Sequence, residues 1–121
     1  MHIQFAELPV FDQDRAKAFY TDHLACQVIA DQPMGEGGWR WIELAFPFSV
    51  TNLHFIRRAD TVPSADPVLV LVDDNVEGTV ASLKAKGVEI VTEPQEAPWQ
   101  PDRTVAEFRD SEGNRMVLAS R

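Results

Sequence analysis

A short pattern occurs twice in this chain, 62 residues apart: Val10 and Asp12 recur as Val72 and Asp74, and Val28 and Ile29 recur as Ile90 and Val91. The surroundings repeat as well. "FAELPV" alternates in part, as a strand does, and "FDQDRAKAFYTDHLA" sets Ala16, Phe19, Tyr20 and Leu24 at helical spacing behind a cap at Asp12. "CQVIAD", "GWRWIELAF" and "VTNLHFIRR" then read as strands, parted by "QPMGEGG" and a bend at "PFS". The second half restarts with the strand "PVLVLV" and a helix capped by Asp74 or Asn75, striped by Val76, Val80 and Leu83 and stopped by Gly87. "VEIVTE", "TVAEFRD" and "NRMVLAS" follow as strands, the last two joined by a turn at "SEGN". Each half is thus strand, helix, and three strands. One helix covers one face of its sheet and leaves the other open, so that open face must meet something: a second such unit, a second chain, or a ligand.

With 121 residues and 45% hydrophobic content, the chain suits one domain. Its parts are module 1 (residues 1–58), a polar linker (59–66) and module 2 (67–121). Cys26 is the only cysteine, which excludes an intrachain disulfide and a classical structural zinc site and points to a reducing, cytoplasmic setting. "MHIQFAELPV" lacks the features of a signal peptide, and no apolar run approaches the roughly 18 residues that span a membrane. The formal charge of −8 argues against nucleic acid, since the nearest approach to a basic patch is Arg57 with Arg58. It favours neutral or cationic ligands, and it equally keeps a small protein soluble.

Strand alternation sorts the side chains between the two faces. Ile42, Leu44, Leu53, Phe55, Ala6 and Leu8 turn to the helix. Trp39, Trp41, Glu43, Asn52, His54, Phe5 and Glu7 turn away from it, and the second half adds Leu69 and Leu71, Glu107 and Arg109, then Val117. Apolar walls with a few placed polar groups suit a small molecule, and aromatic faces beside carboxylates suit a flat or cationic one. His54, flanked by Leu53 and Phe55, is expected to line this surface as a neutral donor and acceptor. Trp99, in "EAPWQPD", sits on a loop that either closes over a ligand or anchors itself. Two other readings stand beside these: Trp39 and Trp41 as a dimer interface, and Glu107 with Arg109 as a surface pair.

The chain resembles the vicinal oxygen chelate superfamily of glyoxalases, bleomycin-resistance proteins and dioxygenases. The resemblance rests on "LPVFDQDRAKAFYTDHLACQVI", on "VDDNVEGTVASLKAKGVEIV" and on "DSEGNRMVL", although Ala25 stands where the family usually has Gly and Ser111 where it usually has Pro. It implies an α+β fold of two βαβββ modules forming an open-barrel-like cleft, the glyoxalase/bleomycin resistance/dihydroxybiphenyl dioxygenase fold, commonly as a homodimer. By the same resemblance, the four metal-ligand positions of the metal-dependent members fall on Phe5, Pro67, His54 and Val117, of which only His54 can bind a metal. No metal cofactor is therefore expected. The alternative is a divalent metal on His54 with Glu7 or Glu43. His2, at the terminus, adds little, and His23, late in the helix, is read as solvated or facing the helix dipole.

Two functions follow as expectations. One is a metal-independent binder of a small hydrophobic or cationic molecule, with Phe5, Trp39, Trp41, Asn52, His54, Trp99, Glu107 and Val117 as contacts. The other is an enzyme of the same superfamily, a lyase, isomerase or dioxygenase, with His54, Glu43 and Glu7 as catalytic candidates. A module whose open face serves only dimerisation is a third possibility. Neither nucleic acid nor a membrane is expected as a partner.

Overall fold

The structure is a computed structural model that describes residues 1–58 and 62–121; residues 59–61 of the expected linker lie outside the described residues. The chain divides into two units, Met1–Thr61 and Val62–Arg121.

The first unit runs β1 (Phe5–Val10), α1 (Gln13–His23), β2 (Gln27–Pro33), β3 (Arg40–Ala45) and β4 (Asn52–Arg57), with sheet order β1-β4-β3-β2. β1 and β4 are parallel and the other pairs antiparallel. Asp12 caps α1 as expected, its Oδ1 accepting the amide of Arg15 at 3.0 Å. Ala16, Phe19 and Tyr20 turn inward, and the sheet answers with Leu8, Val10, Ile42, Leu44, Leu53 and Phe55, all buried. Each such side chain contributes about 1.5–3 kcal/mol on leaving water.

Polar groups fix where α1 enters. The buried Gln13 amide grips the backbone of Arg40 from both sides, donating to its carbonyl at 2.6 Å and accepting its N–H at 2.8 Å. The Arg40 guanidinium reaches Asp31 at 2.8 Å and Asp14 at 2.7 Å, and Lys17 adds a second cation to Asp31 at 2.9 Å. Hydrogen bonds from Arg40 and then Lys17 hold the Asp31 carboxyl down at about 2.

The second unit repeats the order: β5 (Pro67–Val72), α2 (Val76–Ala85), β6 (Ile90–Ala97), β7 (Gln100–Arg109) and β8 (Arg115–Ala119), with sheet order β5-β8-β7-β6. Asn75 caps α2, and Val76, Val80 and Leu83 pack inward with Phe108, Met116 and Leu118. The "SEGN" turn is built around buried Asp110. Its Oδ1 accepts the amides of Glu112 and Asn114, both at 2.9 Å, and its Oδ2 accepts the Asn114 side chain at 3.0 Å. Within the linker stretch, Ser64 bonds to β8, its Oγ accepting the amide of Arg115 at 2.8 Å.

Three side-chain placements differ from the sequence reading. Leu69 is aligned with Met116 and Leu71 with Leu118, which puts both on the face that the core occupies. The open face takes Val70, aligned with Val117, and Val72, aligned with Ala119. His23 is not simply solvated: its ring meets Phe19 edge-on at 4.9 Å, and its Nδ1 is buried without a hydrogen-bond partner.

Candidate functional site

The helix-free face of the first unit gathers most of the expected residues. Parallel pairing sets Glu7 beside His54 and Phe5 beside Asn52, and antiparallel pairing sets Glu43 on the other flank of His54. Residues aligned across strands share a face, so these side chains all leave the sheet on the side away from Leu8, Leu44 and Phe55. Trp41, two residues before Glu43, joins them.

Contacts follow from that register. Glu7 Oε2 lies 2.7 Å from His54 Nδ1. An ionised carboxylate only accepts, so the neutral imidazole carries its proton on Nδ1. The indole of Trp41 packs on the imidazole with centroids 3.9 Å apart and planes 30° apart. Phe5 completes the group, edge-on to Trp41 at 5.6 Å and tilted to His54 at 5.6 Å. Asn52 donates to Glu43 Oε2 at 2.6 Å. The His54 side chain is 12% exposed and that of Glu7 51%, so the dyad has a packed end and an open end.

Trp39 stands just before β3, with the Arg57 guanidinium 4.8 Å over its ring. In the second unit, Glu107 and Val117 are aligned neighbours on the helix-free face. Glu107 makes its hydrogen-bonded ion pair with Arg115, and Arg109, its partner in the sequence reading, adds only a weaker charge attraction. Its carboxylate takes Arg115, donating from both Nε and Nη2, together with the hydroxyl of Thr92 at 3.0 Å. The hydrogen bonds from Arg115 hold the Glu107 carboxyl below its usual range. Arg109 instead donates to the carbonyls of Ser64 and Gly113 and lies 3.6 Å from Glu89. Trp99 is exposed at the turn between β6 and β7. Arg57 enters the sequence reading only as half of a weak basic pair, and Thr92 and Arg115 do not enter it, yet Arg115 stands two residues before Val117, and alternation alone puts it on the same face.

Among the described residues, no group of three His, Cys, Asp or Glu side chains could hold a metal ion. His54 and Glu7 make two donors, and Glu43 does not join them in a metal-holding group of three. A divalent metal in a cleft usually needs about three protein donors, so this donor set does not fit one. Cys26 is not a nucleophile either, since burial pushes its thiol up to about 12.

The family model described as the Glyoxalase/Bleomycin resistance protein/Dioxygenase superfamily matches residues 2–118. The chain belongs to this superfamily. A curated relative from Bacillus subtilis (strain 168), the uncharacterized protein YetH, is 32% identical over 111 residues, covering 90% of this chain and 89% of its own. Among solved structures, TnmS3, an antibiotic binding protein from Streptomyces sp. CB03234, is similar at a TM-score of 0.81 and 32% identity, covering 99% of this chain and 95% of that one. A glyoxalase/bleomycin resistance protein from the same organism matches at 0.76 and 31%, covering 97% and 98%. The superfamily's scaffold hosts unrelated activities, so function must be argued from the side chains. No helix among the described residues is long and apolar enough to cross a membrane.

Proposed function

We propose that this member of the superfamily is a metal-independent small-molecule binder of the bleomycin-resistance kind, holding a flat hydrophobic or cationic aromatic compound against the helix-free face of its first unit. The observation that carries the reading is the packing of Trp41 on His54 with Phe5 at its edge, beside the carboxylate of Glu7. Each aromatic contact to a ligand contributes roughly 0.5–1.5 kcal/mol beyond the area it buries, and a carboxylate near the rings adds attraction for a cation. The similarity to an antibiotic binding protein over nearly the whole chain supports the same reading. So does the donor set, which is too small for the superfamily's metal chemistry. A cytoplasmic homodimer belongs to this proposal, and sedimentation equilibrium tests the dimer.

The test is a thermal-shift screen of the purified protein against 2-naphthol, N-methylquinolinium, and zinc, nickel and manganese salts, together with elemental analysis. The expected result is stabilisation by the aromatic probes, its loss in Trp41→Ala, and no stoichiometric metal. One metal ion per chain, lost in His54→Ala together with the stabilisation, contradicts the proposal.

The 2.7 Å contact between Glu7 and His54 favours a second reading, since a carboxylate behind an imidazole is also how a general base is oriented. On that reading the ligand is a substrate and His54 takes a proton from it, as an isomerase or lyase requires.

A further inference from the structure

The Glu7–His54 dyad is built to read one particular feature of a ligand, and this inference rests on the binding proposal above. The carboxylate of Glu7 engages Nδ1 at 2.7 Å, which leaves Nε2 of the neutral ring as a bare acceptor. No described residue gives Nε2 a partner. It is not sealed away either: among the described residues, the one buried side-chain nitrogen or oxygen without a partner is His23 Nδ1. Trp41 holds the ring plane from one side and Phe5 from another, so the lone pair has a fixed direction.

A fixed, open, unpaired acceptor beside aromatic faces complements a donor on a flat ring. We propose that His54 Nε2 accepts a hydrogen bond from a hydroxyl carried directly on an aromatic or enolic ring, so that the ligand class is phenol-like rather than plain hydrocarbon or ether. A phenolic hydroxyl is a stronger donor than an aliphatic one and lies in the plane of the ring that stacks. Glu7 acts here as a positioning residue, because it selects the tautomer and does not itself meet the hydroxyl.

The experiment compares 2-naphthol with 2-methoxynaphthalene by calorimetry and reads the protonation of both His54 ring nitrogens by nitrogen-15 NMR under the same conditions. We expect 2-naphthol to bind roughly five- to tenfold more tightly than its methyl ether, the factor one neutral hydrogen bond supplies. The ratio falls to about one in His54→Phe and drops partway in Glu7→Ala. The ring spectrum shows a protonated Nδ1 and a bare Nε2 in the free protein. Equal affinities for both probes overturn the inference and leave the binding proposal standing. Failure of both probes to bind overturns the two together. A proton on Nε2 overturns the inference whatever the affinities are, and it does so in the wild-type protein, independent of how any variant folds.

Discussion

Trp41 packs against His54 with its plane tilted by 30°, 3.9 Å from centroid to centroid, although 13 positions separate them in the chain. β3 and β4 are antiparallel neighbours that align Glu43 with His54, and the indole, two residues from Glu43 on the same face, leans back over the imidazole. The imidazole is thereby fixed from two directions, by the indole against its plane and by Glu7 at its Nδ1. A side chain so held gives up little further freedom when a ligand arrives, which is the sense in which this face is prepared for one.

Acid stability depends on Asp31. Its carboxyl is held at about 2 by Arg40 and Lys17, below the ordinary value near 3.9. The group therefore contributes stability fully above about pH 4, and that contribution is lost as pH falls through 2. After allowance for solvent screening it amounts to roughly 1–2 kcal/mol. Asp31→Asn should lower the denaturation midpoint at pH 7 and flatten the decline between pH 4 and 2, as followed by urea melts across that range.

Gln13 makes two hydrogen bonds to one residue of β3. Gln13→Ala leaves the N–H and C=O of Arg40 without those partners and should cost about 1–3 kcal/mol. Loosening of the β3 start should appear as faster amide exchange at Arg40 before it appears elsewhere.

Ala25 follows the end of α1 at φ +59°, a left-handed conformation that suits glycine, and the next amide, Cys26, bonds back to the carbonyl of Tyr20 at 3.1 Å. Ala25→Gly relieves the strain at some cost in chain entropy and should stabilise the protein by roughly 0.5–1 kcal/mol, read as a raised melting temperature. A lowered melting temperature would show that the methyl group packs more than it strains.

Cys26 is buried, and its thiol is pushed up to about 12 by desolvation. At pH 8 the folded protein carries almost no thiolate, so a disulfide reagent should react with it only in step with unfolding, and immediately in denaturant.

Periodicity made most of the architecture readable. The cap at Asp12, the inward stripe of Val76, Val80 and Leu83, and the gathering of Phe5, Glu7, Trp41, Glu43, Asn52 and His54 on one face follow from spacing, whereas the choice of Asn75 over Asp74 as the second cap needs the structure. "PVLVLV" did not phase itself, because it is apolar on both faces. Only pairing with β8 decides that Leu69 turns inward and Val70 outward. Alternation puts Glu107 and Arg109 on one face of β7, but only the β7–β8 hairpin sets Glu107 opposite Val117 and within reach of Arg115. The Gln13 clamp spans 27 residues and leaves no local trace.

The most direct test is a nitrogen-15 NMR titration of the protein with 2-naphthol, following the indole N–H of Trp41, assigned through Trp41→Phe, and the ring nitrogens of His54. Both should shift together along one saturable curve. A probe that binds while Trp41 and His54 stay still would contradict a ligand seated on this face.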